Sequence, residues 1–355
     1  MEKKSRKVVF WVVLAVIVVA ALIFTLSNQN VDQNVEQQEQ QEQTEELSSE
    51  EAAEKLDIGI VQIAEHPALD AARNGFIDAL AEKGYKDGEN ITYDIQNAQN
   101  DLSTANTIAN KFKRDKPDLV LAVATPAAQA AASAMDDIPI LITATTDPLQ
   151  VGVESLDKPG INVSGTSDLT PIKKQIELIT KIAPDAEVIG TIYNSGESNS
   201  EMQLDIAKDA CEEYGLELVE ATADTTSAVL QAANSLAKKD VDVLYIWTDN
   251  TVVAALESVV KVAEEEDIPL IAGEKGSVEK GALATVGIDY YELGKQTGNM
   301  AVKVIEEDAK VENMPIQYYN GTPVLTVNEK AMEHMSVDIS EDLLQDAEII
   351  NKSEE

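Results

Sequence analysis

Six short loops hold most of the residues suited to gripping a small charged molecule. They read Ala64-Glu65-His66-Pro67, Ala124-Thr125-Pro126, Thr145-Thr146-Asp147-Pro148, Asn194-Ser195-Gly196-Glu197, Thr248-Asp249-Asn250 and Glu274-Lys275. Each sets hydroxyls, amides or carboxylates just ahead of a stretch with helical patterning, where free backbone N–H groups point outward. A carboxylate sits well at such a helix N-terminus beside Thr and Ser hydroxyls. An ammonium is matched by a facing Asp or Glu. The two together are the chemistry of a zwitterion site.

Each of these side chains also has a plain structural role to weigh. His66 either hydrogen-bonds a ligand or serves its loop. Thr125 precedes Pro126, a favourable first helical residue, so its hydroxyl is both a helix cap and a candidate carboxylate donor. Thr146 and Asp147 follow the fourth strand of the first half. Ser167 and Asp168 follow Gly165 and either face a ligand or cap the helix over 171–182. Asn194 and Glu197 open a helix, with Glu197 a candidate ammonium partner. Asp249 and Asn250 stand where Thr125 and Pro126 stand in the first half. Trp247 ends a strand, where core packing is the expectation and stacking on an aromatic ligand the alternative. Cys211 lies mid-helix as a core residue.

Catalytic and metal chemistry find little support. The chain has no phosphate loop GxxxxGK[ST], no GxGxxG after a strand, no HExxH and no GxSxG. One cysteine and two histidines, His66 and His334, exclude a disulfide framework, a multi-cysteine metal site and a multi-histidine metal site. Neither a cofactor nor a metal is expected. With 27 Lys+Arg against 64 Asp+Glu, the net charge of −37 repels nucleic acid and anionic headgroups.

From Leu56 onward, short apolar runs alternate with amphipathic helical stretches, which predicts an α/β fold of βαβ units. Strands are predicted at 56–63, 91–96, 118–123 and 138–143, with helices between, one of them capped by Asp101 or Ser103. The scheme then recurs with strands at 187–193, 216–221, 242–247 and 268–273. Asp118-Leu119-Val120-Leu121 matches Asp242-Val243-Leu244-Tyr245, and DDIPIL at 136–141 matches EDIPLI at 266–271. Such a duplication predicts two similar doubly wound parallel-sheet lobes. Open parallel sheets bind ligands beyond the carboxyl ends of their strands, so the six loops should line a cleft from both sides.

Residues 1–7 are a basic flank, and Val8 to Leu26 runs nineteen residues without a charge. That length crosses a membrane as a helix, and the basic flank predicts a cytoplasmic N-terminus with the folded part outside. A cleaved signal peptide is the alternative. Residues 27–56 hold nine acids and one lysine among many glutamines and read as an acidic linker.

The stretches GIVQIAEHPALDAARNGF, NAQND, ATPAAQAA, TDPLQVGV, PGINVSGTSD, YNSGESNS and VGIDYYELGKQTGNMA, in that order over residues 57–350, carry a resemblance. The chain resembles substrate-binding proteins of ABC importers, in the group that includes tryptophan and tyrosine receptors of Gram-positive bacteria. The resemblance implies a type I periplasmic-binding-protein fold that closes around an amino acid, aromatic in the leading case. It also supports Asp289, ahead of a helix from Tyr290, as a site residue. Such folds cross between lobes about three times, and crossings near 143–165, 285–290 and 317–322 assign 57–163 plus 289–318 to lobe 1 and 164–288 plus 319–350 to lobe 2. Implied partners are a small-molecule ligand, an ABC permease with its cytoplasmic ATPase, and the membrane through residues 8–26, with the protein a monomer. No Cys follows the apolar run, unlike the lipoproteins common among such receptors. An extracellular sensor acting through a membrane partner and a secreted α/β hydrolase are the competing functions.

Overall fold

The computed structural model describes residues 55–351. The expectations for 1–7, for 8–26 and for the linker up to residue 54 lie outside the described residues. Among the described residues, no helix is long and apolar enough to cross a membrane.

The apolar runs form two sheets. The first holds β1 (Leu56–Gln62), β2 (Ile91–Asn97), β3 (Leu119–Val123), β4 (Ile140–Thr145) and β5 (Val163–Ser167) in the order β2-β1-β3-β4-β5. The second holds β6 (Val188–Tyr193), β7 (Glu217–Thr222), β8 (Val243–Ile246), β9 (Leu270–Ala272) and β10 (Ala284–Gly287) in the matching order β7-β6-β8-β9-β10. Every residue of β3, β4, β8 and β9 is buried, as expected of strands covered by helices on both faces. The C-terminal segment completes each sheet: β11 (Gln317–Tyr318) lies parallel to β5, β12 (Val324–Asn328) antiparallel to β10, and β13 (Glu348–Ile350) parallel to β12.

The internal repeat has a structural cause. Asp118 accepts from the Asp57 backbone N–H at 2.8 Å and donates its own N–H to Asp57 O at 2.8 Å. Asp242 accepts from the N–H groups of Glu187 and Val188, both at 2.8 Å, and donates to Val188 O. In each sheet an aspartate ahead of the third strand thus pins the start of the first.

Helices α1 (Pro67–Glu82), α2 (Leu102–Asp115) and α3 (Thr125–Ala134) cover the first sheet. Asp101 is the cap of α2, accepting from Thr104 N at 2.6 Å. Around the second sheet lie α4 (Ile172–Ile182), α5 (Ser198–Tyr214), α6 (Val229–Ala237), α7 (Asn250–Ala254), α8 (Leu256–Glu265) and α9 (Lys275–Glu279). Each sheet has its own apolar core, one around Phe76, Phe112 and Leu121, the other around Ile176, Tyr245 and Trp247.

The chain passes from the first sheet to the second at 168–171, returns at 288–289, and leaves again at 319–323. The first crossing comes later than the expected 143–165, because Val163–Ser167 stays paired along β4. After the return, α10 (Tyr290–Glu307) packs on α1 in the first lobe. That contact is built on glycine. A Cβ at Gly75 would stand 2.0 Å from Tyr291 O, and one at Gly294 would stand 1.9 Å from Ala72 O. The backbones therefore touch directly, and this seats Tyr290 at the start of α10. Gly294→Ala forces the helices apart and is expected to lower the unfolding free energy by about 1–3 kcal/mol. Urea denaturation measures it, and a variant as stable as the parent contradicts this packing.

Candidate ligand-binding site

The loops at the carboxyl ends of both sheets converge on a small, narrow cavity between the lobes. The first lobe contributes His66, Thr125 and Thr146, with apolar surface from Ala68, Leu69 and Ala144. The second contributes Asn199, Thr248, Asn250 and Glu274, with Val253. Asp168, from the first crossing segment, and Tyr290, the first residue of α10 just after the second, complete the wall. The cleft is closed: Asn100 Nδ2 reaches Thr251 Oγ1 at 2.8 Å and Gln129 Nε2 reaches Ser198 Oγ at 3.0 Å, each from the first lobe to the second.

The backbone is strained where the first sheet meets the cavity. Ala124 has φ 79° and ψ 155°, a region otherwise the preserve of glycine, and Ala144 has φ 51°. Each such residue costs about 1–3 kcal/mol. At Ala124 the distorted backbone turns directly into α3, which carries the buried Thr125. Its hydroxyl oxygen accepts from Thr146 N at 3.3 Å.

Four carboxylates are buried around this cleft, and their hydrogen bonds separate their roles. Glu274 caps α9, accepting from Gly276 N at 2.5 Å and Ser277 N at 2.6 Å as well as from the Ser277 hydroxyl. Asp249 accepts from Asn194 N at 2.7 Å, Ser200 Oγ at 2.6 Å and Val252 N at 2.8 Å. Glu197 accepts five bonds: Oε2 from Asn250 N, Asn250 Nδ2 and Asn199 Nδ2, and Oε1 from Thr251 N and Thr251 Oγ1. Asp168 differs. Its Oδ2 accepts from Tyr290 OH at 2.7 Å, the Thr146 side chain also acts on the carboxyl, and its buried Oδ1 makes no hydrogen bond of good geometry among the described residues. Burial pushes the Asp168 carboxyl above the usual range. Burial, followed by the charge of Glu197, does the same to Asp249.

Of the residues singled out from the sequence, His66, Thr125, Thr146, Asp168 and Asn250 line the cavity, as do Thr248 and Glu274 of the loops named with them. The others are placed elsewhere. Glu197 is not free for an ammonium, because both its oxygens are occupied by backbone and side-chain donors of its own lobe. Asp249 is fully buried behind the wall as the cap of α7. Asn194 turns its amide to Thr251 Oγ1 at 2.8 Å. Asp289 is exposed and caps α10, accepting from Glu292 N at 3.1 Å. Asp147 caps the 148–151 turn through Leu149 N at 3.0 Å. Ser167 donates to Thr146 O at 2.9 Å, and Pro126 is buried in the first turn of α3. Trp247 is fully buried in the second core against Tyr193 and Tyr245, so it offers no stacking face. Cys211 is buried, which raises its thiol to about 11.

Sequence reasoning missed Asn199, Tyr290, Leu69 and Val253, which reach the cavity from the first turns of helices rather than from the loops before them. The signal for Asn199 was the polar run Asn194–Ser200, whose second half lies inside α5. Asn199 Oδ1 and His66 Nδ1 are, like Asp168 Oδ1, buried without a hydrogen-bond partner among the described residues.

A model of the family described as ABC transporter substrate binding protein matches residues 57–350. A tyrosine-binding protein of Clostridioides difficile (strain R20291) is 48% identical over 288 residues, spanning 81% of this chain and 83% of that protein. The structure of an ABC domain in complex with L-Trp from Streptococcus pneumonia is 34% identical, covers 83% of this chain and 100% of that one, and superposes with a TM-score of 0.79. The ligand-free, open structure of a Clostridium difficile substrate-binding protein with adhesive properties is 46% identical and covers 84% of this chain and 100% of that one, yet its TM-score is 0.63. The chain is thus nearer in sequence to the open structure and nearer in shape to the liganded one, in keeping with its closed cleft.

Burial holds the His66 imidazole down to about 4 from the ordinary 6.5, with the Asn250 side chain opposing part of that shift. The ring is neutral in the folded protein, so the unfolded chain takes up its proton first as pH falls. Stability from this group is complete above about pH 6.5 and is lost toward pH 4. The stability difference between the parent and His66→Gln should therefore shift against the parent by about 3 kcal/mol between pH 7 and pH 4. Denaturant titrations at each pH measure it, and a constant difference would show that His66 is not held neutral by burial.

Proposed function

The chain belongs to the ABC transporter substrate-binding protein family, and from that premise we propose that its cleft captures a zwitterionic aromatic amino acid. The observation that carries this reading is Oδ1 of Asp168, a buried carboxyl oxygen without a hydrogen-bond partner among the described residues, on a side chain that lines the cavity. Leaving such an oxygen unmatched is costly, and a ligand ammonium matches it. Its bond from Tyr290 OH ties the first crossing segment to the start of α10.

Opposite charge is met in the first lobe. The start of α3, with the Thr125 hydroxyl and the neighbouring Thr146, receives the α-carboxylate at a helix N-terminus. Between these ends, Ala68 and Leu69 from one lobe and Val253 from the other give the side chain an apolar seat. The aromatic preference rests on the tyrosine-binding relative and on the neighbour solved with L-Trp. Ligand that touches both lobes favours the closed state by the difference in its affinity for the two states. The protein then hands its cargo unaltered to a permease driven by a cytoplasmic ATPase. Residues 8–26 anchor it, as a monomer, at the outer face of the membrane.

Calorimetry with tyrosine, tryptophan, phenylalanine and non-aromatic amino acids tests the reading. At least one aromatic amino acid should bind, and Asp168→Asn should weaken it by about 1.5–3 kcal/mol, the worth of a hydrogen bond to a charged group. Binding of none of them, or unchanged affinity in Asp168→Asn, removes the proposal.

A further inference from the structure

Glu197 lies outside the cavity wall, yet its two oxygens face in two functional directions. Oε2 accepts from Asn250 N at 3.1 Å, Asn250 Nδ2 at 2.6 Å and Asn199 Nδ2 at 3.2 Å, and both asparagines line the cavity. Oε1 accepts from Thr251 N at 3.0 Å and from Thr251 Oγ1 at 2.8 Å. Thr251 does not line the cavity. Its hydroxyl oxygen instead accepts from Asn194 Nδ2 at 2.8 Å and, across the mouth of the cleft, from Asn100 Nδ2 at 2.8 Å.

A hydroxyl has one hydrogen and two lone pairs. Once Glu197 takes the Thr251 hydrogen, the lone pairs must act as acceptors, and one of them is the half of the interlobe bond that the second lobe supplies. Asn100 is held ready on the other side. It sits in left-handed backbone at φ 59° after β2, and its N–H donates to Ile63 O at 2.7 Å, tying its loop to the end of β1. The second bridge between lobes, Gln129 Nε2 to Ser198 Oγ, ends on the residue next to Glu197.

We propose that Glu197 is a positioning residue that links ligand capture to lobe closure, orienting Asn250 and Asn199 toward the ligand with one oxygen and Thr251 toward Asn100 with the other. The inference rests on the reading of the cavity as the ligand site. A glutamine of the same shape cannot do both tasks, because its NH2 group faces donors on whichever side it is turned. When the lobes part, Thr251 keeps Glu197 and Asn194, and Asn100 returns to water, so opening leaves no buried group unmatched.

Stopped-flow release of L-tyrosine and L-tryptophan tests the link. Asn100→Ala, which does not touch the cavity, should speed release about 3- to 10-fold, the loss of one net hydrogen bond, and Thr251→Val, which also takes a partner from Glu197 and Asn194, by at least as much, while Thr251→Ser stays within about twofold of the parent. Glu197→Gln should speed release further, and adding Asn100→Ala to it should change the rate less than about twofold, because the bond is already lost. Unchanged release in Asn100→Ala, or effects of Asn100→Ala and Glu197→Gln that simply multiply, overturns the inference. If Glu197→Gln does not fold, the Asn100→Ala and Asn250→Ala pair decides: less than multiplicative effects support the link and fully multiplicative effects overturn it. A parent that binds none of tyrosine, tryptophan and phenylalanine removes the cavity reading, and the inference with it. A parent that binds while the variants behave independently removes the inference alone.

Discussion

A carboxylate taken out of water must be matched by donors, or it costs several kcal/mol. The closed cleft obeys that constraint at Glu197, Asp249 and Glu274, and departs from it at Asp168. The three satisfied acids shape the second lobe's half of the wall. They cap short helices, tie loops together and hold asparagines in place. Among these four acids, in the described residues, only Asp168 keeps a carboxyl oxygen without a partner, and it stands on the segment where the chain leaves the first lobe.

The same economy appears in the two kinds of contact between lobes. Asp168 of the first crossing segment is tied to Tyr290 at the start of α10 beside the cavity, and Asn100 meets Thr251 from lobe to lobe. The glycine-lined contact of α1 with α10 makes the first of these rigid, because backbones in direct contact leave the start of α10 no freedom to drift. The second is a pair of neutral hydrogen bonds, Asn100 to the buried Thr251 and Gln129 to Ser198, with no ion pair between them. A rigid floor with a light closure at the rim lets a receptor hold its ligand and still release it.

Much of the architecture was legible in the sequence because parallel sheets write themselves as apolar runs and because the chain repeats the pattern. The loops were legible for the same reason, since they are whatever follows each run. Partner choice within the loops was not. Glu197 and Asp168 are both acids just ahead of a helix, and local sequence does not say that one meets five donors while the other keeps a bare oxygen. Asp289 and Asp249 read as ligands because caps and ligands call for the same residue types. Tyr290, Leu69 and Val253 were hidden because their helices look amphipathic whichever way the first turn faces. The crossing at 168–171 was placed too early because VSGTS has too few large apolar residues to read as a strand, although all five are buried.

Asp118 and Asp242 hold the strands of both sheets at the ends remote from the cleft. Registration is therefore set where no cargo arrives, and the opposite tips of the strands are free of that duty. A lineage built on such a frame can exchange tip residues, and with them its nutrient, while the sheets beneath keep their alignment.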